Sequence, residues 1–248
     1  MAKSSDTSLN TISSFINAIR GIEHSLDPSS LRKGSRDFYW FSPILKEKLQ
    51  GILADVIVLP STEEEVIEII KACVDLHLPL TIRGAGTGNY GQAMPLEGGV
   101  VLDTKRLSNV KEVRKSTVLT EPGIKLVDLE RETLKTGQEL RLYPSTKRTA
   151  TIGGFIAGGS TGVGAIKHGY LADSDNIKSL RIITMEREPR ILTLKGRDIG
   201  KAAHAYGTNG IITELEIGLA ESRAWTDVIV SFPDFNQSLY FTQALAHS

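Results

Sequence analysis

Two glycine-dense stretches constrain this chain more than anything else in it. The first, Arg83-Gly-Ala-Gly-Thr-Gly-Asn-Tyr-Gly91, follows the short apolar run Leu80-Thr81-Ile82. The second runs Thr151-Ile-Gly-Gly-Phe-Ile-Ala-Gly-Gly-Ser-Thr-Gly-Val-Gly164. Of the 23 glycines, 13 lie within residues 84–99 and 153–169, so the enrichment is local and requires a local reason. Glycine backbone can take positive φ and let another group approach closely. Unobstructed amides can also wrap an anion such as a diphosphate. A long, phosphate-bearing ligand is therefore expected at these two stretches.

Composition narrows the classes further. A chain of 248 residues can form one large domain or two modest ones around a real core. Its 40% hydrophobic and 23% charged residues are those of a soluble globular protein. Lys+Arg and Asp+Glu both number 29, so nothing favours nucleic-acid binding, which requires a basic excess. Cys73 is the single cysteine; it cannot form a disulfide within the chain, and it suits a reducing, cytoplasmic setting. The first residues lack an apolar signal region, and Ala2 excludes N-myristoylation. The uncharged stretch from Thr149 to Ile166 carries Gly154 and Gly158 at GxxxG spacing, but its glycines and hydroxyls make it too polar for a membrane span.

Hydrophobic periodicity lays out the elements. Residues 1–8 are polar and read as disordered, and Leu9, Ile12, Phe15, Ile16, Ile19 and Ile22 then recur at helical spacing. Gly34 to Phe41 is aromatic-rich and ambiguous, and a helix follows from Pro43 to Gln50. Asp55–Leu59 reads as a buried strand. Thr62 and Glu65 form a capping box for a helix to Leu76, and Leu80–Arg83 and Gly99–Asp103 are the next strands. A second module holds a hairpin (Val110–Val113, Val118–Thr120), a helix from Leu126 ended by Gly137, and a short strand at Leu140–Tyr143. Further along come a short helix over Thr151–Ala157, a hairpin (Asn176–Met185, Arg190–Leu194), a helix over Asp198–Tyr206 and a strand from Ile211 to Leu219. Val228–Phe232 then reads as a strand and Phe235–Leu245 as a helix, a pair that cannot bury its apolar faces alone.

Three phosphate-loop patterns compete for the first glycine stretch. A P-loop needs Lys and Ser/Thr after its last glycine, whereas Gln92-Ala93 follow Gly91. Gly86, Gly88 and Gly91 spell GxGxxG, but that fingerprint must open a helix. Pro95 and the strand from Gly99 leave no room for one. A strand–loop–strand whose own amides form an anion nest is what remains.

Three segments together carry a family resemblance. Arg83–Gln92 resembles the pyrophosphate loop of the FAD-binding domain in the vanillyl-alcohol oxidase / p-cresol methylhydroxylase (PCMH-type) superfamily. Tyr143-Pro144 with Thr149–Gly154 is similar to its second signature, and Tyr206-Gly-Thr-Asn-Gly-Ile-Ile-Thr-Glu214 to its third. The D-lactate dehydrogenase / glycolate oxidase branch looks nearest. The resemblance implies an α+β fold of two subdomains, about 50–106 and 107–220, with FAD between them. An N-terminal helical segment (1–49) would precede this fold, and 221–248 would begin a truncated substrate-cap domain.

By the same resemblance, Gly84, Ala85, Gly86, Thr87, Gly88 and Asn89 would hold the pyrophosphate, with Arg83 and Tyr90 flanking them. Pro144, Ala150, Thr151, Ile152, Gly153 and Gly154 would line the adenosine and pyrophosphate side. Gly158 and Gly162 would lie near the flavin ring, and Ile211 and Ile212 would offer main-chain contacts. Some members attach the flavin to a histidine in this loop; Ala85 and Thr87 stand here, so non-covalent FAD is expected. The implied activity is an FAD-dependent oxidoreductase taking a hydride from a hydroxyl-bearing carbon, such as that of a 2-hydroxy acid.

A non-catalytic flavin module working with a separate C-terminal subunit or electron acceptor is the second reading. A UDP-sugar enolpyruvyl reductase is the third. Lys167, His168 and Arg83 are candidate cations for the reduced flavin, and each also reads as a solvated charge. Lys147-Arg148 could touch a phosphate or be exposed. His24, His77 and His204 fall in helical patterns, and no catalytic base is assigned. Asp173 and Asp175 lack a third ligand, so turn and strand-start roles are expected rather than a metal site.

Overall fold

The computed structural model describes residues 5–247, with side chains from Asn10 onward. It is an α+β chain built on two sheets. The first half contains α1 (Ser5–Ala18), β1 (His24–Ser25), α2 (Pro28–Gly34), α3 (Pro43–Leu49), β2 (Val56–Val58), α4 (Glu63–Asp75), β3 (Leu80–Arg83) and β4 (Val100–Asp103). Its sheet has the order β1-β2-β4-β3, with β4 parallel to both β2 and β3. Strand β4 thus lies between two strands joined through α4, and the glycine loop crosses from β3 to β4 with no helix in it. That topology removes the dinucleotide GxGxxG reading.

The second half holds β5 (Val110–Arg114), β6 (Thr117–Thr120), α5 (Leu126–Leu134), β7 (Gln138–Leu140), α6 (Ile152–Gly158), α7 (Ala165–His168), β8 (Ile177–Ile183), β9 (Ile191–Leu194) and β10 (Ile211–Glu221). Its sheet runs β5-β6-β10-β8-β9, with β7 pairing the far end of β10. Leu126, Leu129, Ile152, Ile156, Ile177, Leu180 and Leu215 fill its core. After β10 come an extended segment and α8 (Phe235–Ala246).

The two halves are locked together. Ile183 and Ile211, at the ends of β8 and β10, sit in the first core with Phe15, Ile19, Ile69, Ile70 and Leu102. Alongside them Glu63, at the start of α4, accepts two hydrogen bonds from Arg181 Nε (2.9 and 3.2 Å), one from Arg181 Nη2 (2.8 Å) and one from Thr213 Oγ1 (2.6 Å). The Arg181 hydrogen bonds hold Glu63 below the usual carboxylate range. A depressed carboxylate stabilises the fold above its unfolded pKa, and that contribution is lost as pH falls through its folded value. Glu63→Gln should therefore cost about 1–2 kcal/mol at neutral pH, and the gap to the parent should close below roughly pH 4. Urea unfolding across pH tests this; a gap that persists unchanged at acid pH contradicts it.

Four local expectations are corrected. Ser5–Ser8 belong to α1 rather than to a disordered tail, and residues 1–4 lie outside the described ones. The strand expected at Leu140–Tyr143 ends at Leu140, and Tyr143 makes only an isolated bridge to Val163. Asp198–Tyr206 is not an α-helix; a 3-10 turn covers Gly196–Lys201, and the amides of His204 and Tyr206 bond to the Ile156 and Ala157 carbonyls instead. Val228–Phe232 forms no strand, because no described strand edge lies beside it, and Ile229 is 96% exposed. Helix α8 does form, and as expected it buries none of its residues.

Candidate functional site

Between the halves lies a groove of about 540 Å³, in the range of small-molecule and cofactor sites. One wall is the loop from Gly84 to Tyr90, with Phe38, Phe41 and Gln92 beside it. The other is Ala150 and Thr151, just before α6, with Gly153, Gly154, Phe155, Ala157 and Gly158 on α6. Pro144, Tyr206, Gly207, Gly210 and Ile212 also line it. All three signature segments therefore face one cavity. Arg83, Ile152, Gly162 and Ile211 of the expected set do not line it: Ile152 and Ile211 are core residues, and Gly162 packs against the Tyr143 carbonyl.

The two glycine stretches have different jobs. Gly84 lies against the Thr151 side chain across the two halves, and Gly153 lies against Pro122 within the second half, so glycine here lets chain segments approach closely. The N-terminal amides of α6 are already used: Ile152 donates to Ile124, Gly153 to Pro122, and Gly154 to the Thr151 hydroxyl. The first loop differs. Among the described residues, the amides from Ala85 to Asn89 donate to no group of the chain, and Gly86 takes φ 65°, open to few other residues. A run of uncommitted amides beside a neutral, largely apolar groove fits a flat ligand with a diphosphate in its middle.

No Asp, Glu, Lys, Arg or His lines the groove; Tyr90 and Tyr206 are its only titratable side chains among the described residues. Arg83 is half-buried and outside this groove, drawn towards Asp103 and Asp37. Lys167 and His168 sit on α7, outside the groove, and burial, then Arg141 and Lys167, hold His168 below the usual histidine range. His168 is therefore neutral at pH 7, a poor anchor for negative charge. Lys147 pairs with Glu130 and lies 3.9 Å over the Tyr143 ring.

None of the three histidines read as helical lies in a helix: His24 is in β1, and His77 and His204 take φ of 52° and 59° in turns. Cys73 is core, and burial pushes its thiol up to about 12. Asp173 caps a turn by accepting from Tyr170 N (2.9 Å), and Asp175 pairs with Lys178. The described residues hold no metal-competent cluster of His, Cys, Asp or Glu and no helix long and apolar enough to cross a membrane.

Comparison with known proteins agrees with this geometry. Residues 54–189 match the family model described as FAD binding domain. The chain belongs to that family. It is 30% identical over 191 residues to an FAD-linked oxidoreductase of Mycobacterium tuberculosis, covering 72% of this chain and 40% of that protein. It is also 30% identical over 196 residues to a D-lactate dehydrogenase of Archaeoglobus fulgidus (74% and 43%). A glycolate oxidase subunit of Bacillus subtilis is 27% identical over 179 residues (67% and 37%).

Among solved structures, an alkyldihydroxyacetonephosphate synthase superposes with TM-score 0.71 at 23% identity, covering 84% of this chain and 40% of that one. A Physcomitrella patens BBE-like 1 variant superposes with TM-score 0.69 at 15% identity (86% and 45%). These two speak for the fold alone. The chain spans about 40% of the length of these curated relatives.

The sequence missed one residue that shapes the loop. Asp37, in the ambiguous aromatic stretch, reaches Gly91.

Proposed function

We propose that this chain is the FAD-binding part of an oxidoreductase that removes a hydride from a hydroxyl-bearing carbon, such as that of a 2-hydroxy acid. The observation that carries the cofactor half of this reading is the run of uncommitted amides from Ala85 to Asn89 facing a neutral groove. The relatives named D-lactate dehydrogenase and glycolate oxidase subunit support the substrate class. Bound FAD supplies the hydride acceptor.

The chain's own residues bind and orient. The loop amides donate to the diphosphate, and Ala150, Gly153, Gly154 and Gly158 present a surface with little side chain to a planar ligand. Ile212 and Gly210, both buried, add apolar lining to the groove. Non-covalent binding is the reading supported by the lining, which holds no histidine or cysteine among the described residues.

A second reading is a flavin-binding module that becomes competent only with a C-terminal partner subunit. That no carboxylate, histidine or amine is found among the described lining residues favours it, because hydride removal from an alcohol needs a proton acceptor.

Titrating the purified chain with FAD and following the flavin band near roughly 450 nm is the test. Bound flavin should appear, and acid precipitation should leave it in the supernatant. A chain that stays colourless in excess FAD ends the proposal, and yellow pellets end its non-covalent part. Anaerobic addition of 2-hydroxy acids then separates the two readings: bleaching supports the oxidoreductase, and a band unchanged by every acid supports the module.

A further inference from the structure

We propose that Asp37 is a positioning residue for the cofactor: with its neighbours Arg36 and Phe38, it holds the glycine loop in its anion-binding shape before any ligand arrives. This rests on the FAD reading of the groove. Asp37 lies before the matched FAD-binding region, which begins at residue 54.

Its side chain is 2% exposed. One carboxylate oxygen accepts from Tyr39 N (2.8 Å), and the other from Gly91 N (2.9 Å). The Ala93 amide also bonds to it. Next door, Phe38 N donates to the Gly88 carbonyl at 2.7 Å, and Arg83 Nη1 donates to the Arg36 carbonyl at 2.8 Å. Three consecutive residues, 36 to 38, therefore fasten the loop at its start, middle and end.

The physical need is clear from what the loop lacks. It joins two parallel strands with no helix and no ladder of its own, and its amides from Ala85 to Asn89 have no internal acceptor. Holding such a segment in one conformation carries an entropic cost per residue. A loop ordered in advance does not take that cost from the ligand's affinity. The carboxylate points at the back of the loop, so the amides it takes, Gly91 and Ala93, follow those left for the ligand.

A buried anion behind an anion site also requires compensation. Arg83 from β3 supplies it: its guanidinium lies against Gly86 and interacts with both Asp37 and Asp103 of β4. Arg36 stacks instead over Trp40, 4.4 Å from the ring centroid. Burial lifts the Asp37 carboxyl above its ordinary range, against the pull of the three amides and Arg83. The brace should therefore weaken on acidification, beginning above the pH at which an exposed aspartate protonates.

Asp37→Asn is the test, because it keeps the shape and one acceptor but turns an N–H donor against at least one of the three amides. FAD affinity should fall tenfold to a hundredfold, the range set by a charged hydrogen bond. In the FAD-free protein, hydrogen exchange at the amides that fasten the loop, Phe38, Gly91 and Ala93, should accelerate tenfold or more, while exchange in β8 and β10 stays as in the parent.

An Asp37→Asn chain that binds FAD like the parent, or whose loop exchanges like the parent's, overturns the proposal. If the parent itself binds no FAD, the function reading fails, and the exchange comparison still decides whether Asp37 orders the loop. Should the variant not fold, the parent's own FAD affinity measured downward in pH decides. A decline that sets in above the ordinary carboxylate range supports the brace, and a flat profile through that range overturns it.

Discussion

Gly153→Val is expected to abolish FAD binding while leaving most of the fold intact. Gly153 N donates to the Pro122 carbonyl at 2.8 Å. A Cβ on Gly153 would strike the Pro122 ring and sit 2.9 Å from its carbonyl oxygen. Neither obstacle can swing away: one is a closed ring and the other is backbone. Valine must push α6 off the 121–123 turn, and that displacement opens the groove, whose walls include both Pro122 and Gly153. A loss of at least a hundredfold in affinity, about 2.7 kcal/mol, should follow.

Flavin fluorescence titration measures the loss, and far-UV circular dichroism checks the fold. Gly200→Ala is the matched control, since nothing lies within 4 Å of its Cβ position and it does not line the groove. Affinity within about threefold of the parent for Gly153→Val would contradict the close packing of α6 on the 121–123 turn as a condition for binding.

Phe15→Ala should lose about 3–5 kcal/mol of stability. Phe15 is fully buried on α1, and it shares a core with Ile69 and Ile70 of α4 and Val56 and Val58 of β2. A cavity there cannot easily collapse, because the sheet lies on one side and α4 on the other. The stretch before residue 54 would then be part of the domain's core, although it precedes the region matched by the family model. Urea unfolding with parent and variant at equal concentration gives the number. A loss below about 1 kcal/mol would mean that α1 is an appendage.

Legibility in the sequence followed how local each cause was. β2, α4, β3 and β4 could be read because burial imposes its period on neighbouring residues. The Thr62 cap behaved as expected on one side, with its hydroxyl accepting from Glu65 N at 3.2 Å. On the other side Glu65 bonds Ser61 N, not Thr62 N, at 2.6 Å.

The miss at Asp198–Tyr206 has a tertiary cause. Ile199, Ala202 and Ala203 are buried at helix-like spacing, but bonds from His204 and Tyr206 to α6 pull the chain into left-handed geometry that no local pattern records. Arg83 lies beside the loop but does not line this groove, and sequence does not say which side of β3 its last residue takes. Asp37 gave no signal at all: its amide partner on the loop is 54 residues away, and a lone aspartate among aromatics fits many roles.

Strand β10 has a consequence for how the chain comes off the ribosome. It pairs with β6, β7 and β8, yet it is made after all three. Until residue 221 has emerged from the exit tunnel, β6 and β8 are unjoined edges, each able to accept a foreign strand. Nascent chains halted in the 190s should for that reason be the ones that recruit holding chaperones or aggregate.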